Sequence, residues 1–185
     1  MSKEIWKDAK YNGYDISLYQ VSNLGNVRNK ETKHVKKKNS RGNDKGGKYH
    51  FVELRYSKAG ERKSKDFKVS RLVAFVFCGN PENKPYVDHI NRNGFDDHAE
   101  NLRWVTPREN AANQGPNRGR ELKGVYEQKP QKRQCEFEFM NPAKYIATCG
   151  GEHIGTFNTK EEAAMAYNER AKEMWGEYAA LNYED

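Results

Sequence analysis

The pattern of apolar and polar residues predicts a small β unit near the start of the chain. Apolar residues recur between residues 16 and 27, and the sequence Asn23-Leu24-Gly25-Asn26 interrupts them. Asparagine and glycine tolerate the backbone angles of tight turns, so this cluster predicts a turn between two strands.

The following residues predict a hairpin and one buried element. Residues 50–57 alternate enough for a strand, and residues 64–69 can pair with them across a turn at 58–61. Residues 70–77 form an apolar run whose period does not separate a helix from a buried strand. If the run is a helix, Ser70 is the candidate N-cap.

Residues 86–113 predict a strand, a loop, a second strand and a short helix. The first strand includes Asp88 and His89, the polar loop spans 91–100, and the second strand spans 102–105. Three residues agree on a helix start: Thr106 as N-cap, Pro107 at the first helical position and Glu109 as the partner in a capping box.

The last third of the chain predicts a sheet and one helix. Three short β runs, at 124–127, 144–149 and 152–157, precede a capping box formed by Thr159 and Glu162. The helix closes at Trp175-Gly176, and one apolar stripe predicts its buried face: Ala163, Ala164, Tyr167, Ala171 and Met174.

Charge is unevenly distributed along the 185 residues. Residues 1–50 hold 12 Lys and Arg against 5 Asp and Glu, and residues 51–120 hold 13 against 9, giving net charges of +7 and +4. Residues 121–185 hold 8 against 12, a net charge of −4. Because attraction to a polyanion is a summed, long-range effect, the first two thirds should provide most of any attraction to a polyanion such as nucleic acid.

Two segments are basic and poor in apolar residues. Residues 30–50 predict a mobile basic loop that becomes ordered on phosphates, with a solvated run of charge as the alternative. Residues 114–122 predict a flexible basic linker that either lies along a groove of a polyanionic partner or acts as an interdomain hinge.

Cysteine usage and hydropathy indicate the compartment. Cys78, Cys135 and Cys149 are an odd number without a Cys-x-x-Cys pair, which favours a reducing compartment and argues against a structural zinc site. No apolar run approaches the roughly 20 residues that cross a bilayer. The N-terminal sequence MSKEIWKDAK lacks the apolar core of a secretory signal. We therefore expect a cytoplasmic protein that is neither secreted nor membrane-bound.

Residues 86–113 combine DHIN, NLRWVT and ENAAN in order and with matching gaps. This set resembles the HNH nuclease motif of phage and intron-encoded HNH homing endonucleases. The resemblance implies a ββα-metal fold in which His89 is the general base and Asp88 and Asn110 bind the metal. It also implies that Asn101 holds the loop that fixes the imidazole. An asparagine replaces the final histidine of the family name.

These residue types suit phosphodiester hydrolysis. Imidazole exchanges protons near neutral pH, so His89 can take a proton from water. Asp88 and Asn110 offer hard oxygen ligands of the kind that Mg²⁺ accepts, with Mn²⁺ as the other candidate. Adjacent strand residues point to opposite faces, so Asp88 and His89 converge only at a twisted strand end. The resemblance places three further polar residues in the loop, outside the site: Asp96, Asp97 and His98.

Basic residues in and around the motif are candidates for phosphate contacts with double-stranded DNA: Lys36, Lys37, Lys38, Arg41, Arg92, Arg103, Arg108, Arg118 and Arg120. For the arginines inside the motif, plain solvation is an equally open interpretation. We expect a monomer or weak dimer. One ββα site cuts one strand at a time, so a monomer would nick DNA.

Two further resemblances flank the motif. The string YQVSNLGNVRN resembles the NUMOD4 module, which is thought to contact DNA; a plain hairpin that caps the nuclease core is the alternative. The string IGTFNTKEEAAMAYNERA, with the closing ALNY, resembles the AP2-type DNA-binding domain. An insertion near 130–142 and Tyr145, where a tryptophan is frequent, depart from that pattern. A docking or stabilising module is the alternative there.

The predicted fold class is α+β, with a small N-terminal β unit, a central ββα-metal core, and a C-terminal three-stranded sheet plus helix. The predicted parts are a NUMOD4-like module with a basic loop (1–50), the nuclease core (51–113), a basic linker (114–122) and an AP2-like domain (123–185). The predicted function is a site-specific DNA endonuclease of a phage-infected or bacterial cell, using one divalent metal. The alternatives are a DNA-binding regulator with a non-cutting HNH scaffold and a protein that cuts or binds RNA.

Overall fold

The computed structural model describes residues 3–42, 48–58, 60–128 and 144–183. The chain divides after Pro107 into two units, each with sheet and helix, so the fold class is α+β, as predicted. In the described part of the chain, no helix is long and apolar enough to cross a bilayer.

The first unit opens with an antiparallel sheet whose strands lie in chain order: β1 (Trp6–Asp8), β2 (Tyr19–Ser22) and β3 (Val27–Asn29). The connection between β2 and β3 confirms the predicted turn at 23–26. Gly25 has a φ of +80°, which glycine adopts without a steric penalty. The backbone N–H of Asn26 donates to Ser22 Oγ at 3.0 Å and closes the turn.

A second antiparallel sheet places its longest strand in the centre: β4 (Asn39–Gly42), β5 (Lys48–Lys58) and β6 (Glu61–Lys68). The pairing of β5 with β6 confirms the predicted hairpin. Strand alternation buries Val52 and Leu54 in the core, while Glu53 and Arg55 face outward.

The basic segment at 30–50 differs from the predicted loop. The backbone N–H of Lys36 donates to the carbonyl of Val27 at 2.8 Å, and Asn39–Gly42 forms strand β4 beside β5. A polar edge strand needs no apolar side chains, because backbone hydrogen bonds to its neighbour hold it. Residues 43–47, which belong to the same prediction, lie outside the described residues. The predicted division between residues 50 and 51 falls within β5.

Helix α1 (Val69–Phe77) follows β6 without an intervening loop, so the apolar run is a helix. It buries Val69, Leu72 and Val73 against the sheets. The predicted N-cap is wrong, because β6 runs straight into α1 and its last residue, Lys68, takes the capping position. Ser70 is fully buried in the first turn, and its hydroxyl has no hydrogen-bond partner among the described residues.

The order of strand, loop, strand and helix predicted for 86–113 is confirmed: β7 (Tyr86–His89), a short 3₁₀ turn (Ala99–Asn101), β8 (Leu102–Val105) and α2 (Pro107–Ala112). β7 and β8 pair antiparallel. The indole N–H of Trp104 donates to the carbonyl of Cys78 at 3.1 Å and ties β8 to the end of α1. The core of the first unit joins both sheets to α1 and β8: Ile16, Val21, Val27, Val52, Leu54, Phe67, Leu72 and Leu102.

The second unit contains an antiparallel sheet and a long helix: β9 (Val125–Gln128), β10 (Lys144–Cys149), β11 (Glu152–Phe157) and α3 (Lys160–Trp175). The capping box is confirmed, since Glu162 N–H donates to Thr159 Oγ1 at 3.2 Å and Thr159 N–H donates to Glu162 Oε2 at 3.3 Å. The predicted stripe packs on the sheet, with Ala163, Ala164, Tyr167 and Ala171 buried. Cys135 and the predicted insertion at 130–142 lie outside the described residues.

Candidate functional site

The Asp88-His89 pair lies at the end of β7. The exposed fraction is 9% for Asp88 and 5% for His89. Asp88 lies opposite Arg103 on β8, and Arg103 Nε donates to Asp88 Oδ2 at 3.2 Å. The guanidinium therefore neutralises part of the charge of this carboxylate within the hairpin.

Asp97 and Tyr49 contact the imidazole of His89. Its Nε2 lies 3.4 Å from Asp97 Oδ1. The centroid of the Tyr49 ring lies 5.9 Å from that of the imidazole, with the two planes tilted by 34°. The other oxygen of Asp97 lies 2.8 Å from His50 Nδ1. One buried carboxylate thus connects a histidine of β5 to the histidine at the end of β7.

Asn101 closes the loop between β7 and β8. Its side-chain amide donates to the carbonyl of Asp96 at 2.8 Å and to Asn91 Oδ1 at 3.0 Å. Its Oδ1 accepts the backbone N–H of Asn91 at 3.0 Å, and its carbonyl accepts the N–H of Ile90 at 2.9 Å. These bonds join the two ends of the loop that carries Asp97.

Lys68 lies beside this group of residues, at the end of β6. Its Nζ lies 3.2 Å from the centroid of the Tyr49 ring, whose neighbour is His89. Burial lowers the pKa of Lys68 from 10.5 to about 8, although the charge of Asp97 acts in the opposite direction. The first unit therefore places a partly desolvated amine near the two imidazoles.

Known proteins match this chain over more than half its length. The NUMOD4 motif matches residues 4–55. "Uncharacterized HNH endonuclease L247" of Acanthamoeba polyphaga mimivirus is 41% identical over 109 residues, which are 58% of this chain and 25% of that protein. "DNA endonuclease I-HmuI" of Bacillus phage SP01 is 41% identical over 113 residues, 59% of this chain and 56% of that protein. The chain is a relative of the HNH homing endonucleases.

A solved structure is described as "DNA binding and cleavage by the HNH homing endonuclease I-HmuI". That protein is 39% identical in sequence to this chain, and the match has a TM-score of 0.45. The matched region covers 60% of this chain and 57% of the chain in the solved structure. The chain spans 25% and 56% of the length of the two curated relatives.

The HNH motif places one predicted metal ligand in each unit. Asp88 lies in the first unit, whereas Asn110 is half-buried on α2 in the second, so their joint binding of a metal stays a prediction. Within the described ranges, no group of three or more His, Cys, Asp or Glu side chains could hold a metal ion. One carboxylate and one amide suit Mg²⁺ only where substrate oxygens and water complete the coordination.

Several of the predicted DNA-contacting residues contact protein groups: Lys36 over the Tyr19 ring, Lys38 with the carbonyl of Gly25, Arg41 with Asp66, Arg103 with Asp88, and Arg120 over the Tyr126 ring. Lys37, Arg92, Arg108 and Arg118 have exposed side chains. An aromatic or acidic partner orients such a side chain but leaves less of its charge available to phosphate.

The sequence analysis places Asp97 in the loop, outside the site, and in the structure this loop residue contacts the imidazole of His89. Asp97 has an exposed fraction of only 3% and lies between two imidazoles. His50 is separated from Asp97 by 47 positions, so no local pattern links them. A carboxylate eight positions after His89, in a loop closed by Asn101, was the one available signal.

Proposed function

We propose that this chain is a DNA endonuclease of the HNH homing type, which hydrolyses phosphodiester bonds and nicks one strand per site. His89 is the general base, and Asp88 and Asn110 hold one divalent metal, Mg²⁺ or Mn²⁺. The observation that carries the proposal is the Asp88-His89 pair at the end of β7, with the imidazole anchored by Asp97. The curated relatives, one of them named as a DNA endonuclease, support it.

Asp97 determines which nitrogen of His89 can act as the base. An ionised carboxylate can only accept a hydrogen bond, so the neutral ring carries its proton on Nε2 and its lone pair on Nδ1. Nδ1 then takes the proton from the attacking water. When bound, a divalent cation would stabilise the charge on the scissile phosphate and the departing 3′ oxygen.

Access to the site is narrow. With exposed fractions of 5% for His89 and 9% for Asp88, a DNA strand has to use a small opening or widen it on binding. Arg103 shares Asp88 Oδ2, so this guanidinium has to accommodate any cation held by the same carboxylate.

The flanking parts of the chain would hold the DNA. In the second unit, strand register places Tyr126, Gln128, Lys144 and Thr156 on the face of the sheet turned away from α3, and all four are exposed. Arg120 stacks over Tyr126, with its guanidinium carbon 4.0 Å from the ring centroid. Hydrogen-bonding groups on an exposed sheet face support a groove-contacting role of the AP2 type.

One observation favours the alternative of a DNA-binding regulator that does not cut. Asp88 already has a cationic partner in Arg103, and a carboxylate neutralised within the protein is a weaker metal ligand. A regulator would retain DNA in gels with or without Mg²⁺ and would leave the plasmid closed.

The test is plasmid nicking by the purified chain. The substrate is a supercoiled plasmid that carries the DNA flanking the gene with the gene's own element removed, assayed with Mg²⁺, Mn²⁺ or EDTA. The parent should nick one strand only when metal is present. His89→Ala should abolish nicking and leave gel retardation intact.

His98→Ala is the matched control, because it removes an exposed imidazole from the same loop. It should nick at the parental rate. The base assignment is wrong if His89→Ala cuts as fast as the parent. Competition by structured RNA but not by duplex DNA would favour the RNA interpretation.

A further inference from the structure

Asp97 is the most deeply buried acid of the loop between β7 and β8. Its exposed fraction is 3%, and its two oxygens face different imidazoles, Oδ2 facing His50 Nδ1 at 2.8 Å and Oδ1 facing His89 Nε2 at 3.4 Å. Removing a carboxylate from water is costly unless hydrogen bonds replace the lost solvation. Both ring nitrogens therefore serve as donors to Asp97.

The N-terminal part of the chain holds Asp97 in this position. His50 lies on β5, within the residues that match the NUMOD4 motif. Gly25, in the turn between β2 and β3, packs so closely that a Cβ at this position would lie 2.8 Å from the Cβ of Asp97. The backbone N–H of Ala99 donates to the carbonyl of Asn23 at 2.8 Å. The same turn therefore contacts the loop on both sides of His98.

A second contact fixes the other side of the loop. A Cβ at Gly94 would overlap the carbonyl oxygen of Lys48 on β5, so the two backbones touch there. The ring of Phe95 lies 4.9 Å from the His50 ring. The loop thus rests on β5 and on the β2–β3 turn.

We propose that Asp97 is a positioning residue, which fixes the ring of His89 with the proton on Nε2, and that the N-terminal module supports it through His50 and the turn at Gly25. This proposal rests on the proposed function, in which His89 is the base. It gives the NUMOD4-like module a role inside the nuclease site as well as any contact with DNA. Asp97 itself touches no reacting atom.

The first test separates positioning from charge by single-turnover nicking. Asp97→Ala should lower the cleavage rate on the order of 10–100-fold, because the ring loses its anchor, while DNA affinity stays within about twofold of the parent. Asp97→Asn should recover most of the rate, because an amide can accept from His89 Nε2–H and donate to a ring nitrogen of His50. The cleavage rate of His50→Ala should lie between those of Asp97→Asn and Asp97→Ala. The double variant with Asp97→Ala and His50→Ala should cleave almost as fast as Asp97→Ala alone.

Asp96→Ala is the control for a general loosening of the loop. Asp96 is the neighbouring carboxylate and lies 2.9 Å from Nδ1 of the exposed His98, not from His89. Equal losses in Asp96→Ala and Asp97→Ala would overturn the proposal. So would parental cleavage by Asp97→Ala, or an Asp97→Asn protein as slow as Asp97→Ala.

The second test does not depend on cleavage. Nitrogen-15 NMR of the five histidines reports which ring nitrogen carries the proton in each neutral ring. His89 should hold its proton on Nε2 in the parent and in Asp97→Asn, and should become a mixture of tautomers in Asp97→Ala and His50→Ala. A mixed His89 tautomer in the parent would overturn the proposal. A fixed tautomer in a parent that cuts no DNA would instead refute the proposed function and leave the positioning intact.

Discussion

Replacing Gly25 by alanine tests the contact between the β2–β3 turn and the loop that joins β7 to β8. Gly25 has a φ of +80°, and a Cβ added there would lie 2.8 Å from Asp97 Cβ and 3.1 Å from the Asp97 carbonyl oxygen. Gly13 offers a matched control, because its φ is +77° and a Cβ there would meet nothing within 4 Å. Both substitutions impose the same backbone strain, but only the methyl group of Gly25→Ala would contact Asp97.

The structure separates the expected cost into two parts. An alanine in the left-handed region costs about 1–2 kcal/mol, which applies to both variants. Forcing an extra methyl group into a packed contact costs about 1–3 kcal/mol more, which applies to Gly25→Ala alone. Gly25→Ala should therefore lower the free energy of unfolding by about 2–5 kcal/mol, and Gly13→Ala by about 1–2 kcal/mol.

Urea unfolding followed by tryptophan fluorescence measures this difference, since Trp6 and Trp104 both lie in the first unit. Nicking should also be slower in Gly25→Ala than in Gly13→Ala when both are assayed well below their unfolding midpoints, because a displaced Asp97 no longer holds His89. Equal destabilisation by the two substitutions would refute the close contact. Equal nicking rates would refute its link to catalysis.

Three further outcomes are expected. The pKa of Lys68 is lowered to about 8 in the folded chain, so the unfolded chain binds more protons between pH 8 and about 10.5. The free energy of unfolding should therefore rise with pH across that interval, and Lys68→Met should flatten this rise in urea titrations. Thr159→Ala removes the cap of α3 and should lower the free energy of unfolding by about 1 kcal/mol, measured by thermal unfolding of the whole chain followed by circular dichroism. Leu54→Ala empties a fully buried site of the first core and should cost about 2–5 kcal/mol in urea.

Each of these outcomes has a matched variant. Lys63→Met removes an exposed lysine of the same strand and should leave the rise of stability with pH unchanged. Thr159→Ser keeps a hydroxyl at the cap and should restore most of the loss. Leu18→Ala changes a leucine with an exposed fraction of 53% and should cost about 0.5 kcal/mol or less. Equal effects in a variant and its control would contradict the mechanism concerned.

Local rules allowed much of the fold to be predicted. The turn at 23–26, the β5–β6 hairpin and the capping box of Thr159 and Glu162 depend on residues close together in the chain. Strand β4 could not be predicted in this way, because a polar edge strand is held by the backbone of its neighbour, which leaves no hydropathy pattern. The cap of α1 was missed for a related reason, since no loop separates it from β6.

The same division holds at the candidate site. The sequence alone was enough to select Asp88, His89, Asn101 and Asn110 as candidates, because the motif consists of the residue types and spacings that this chemistry requires. Only the tertiary structure decided that Asp97 is buried between His89 and His50. His50 is 47 positions away from Asp97 in the sequence. A carboxylate in a polar loop is normally solvated, and only the packing of β5 and the Gly25 turn against that loop removes its water and makes the two imidazoles its partners.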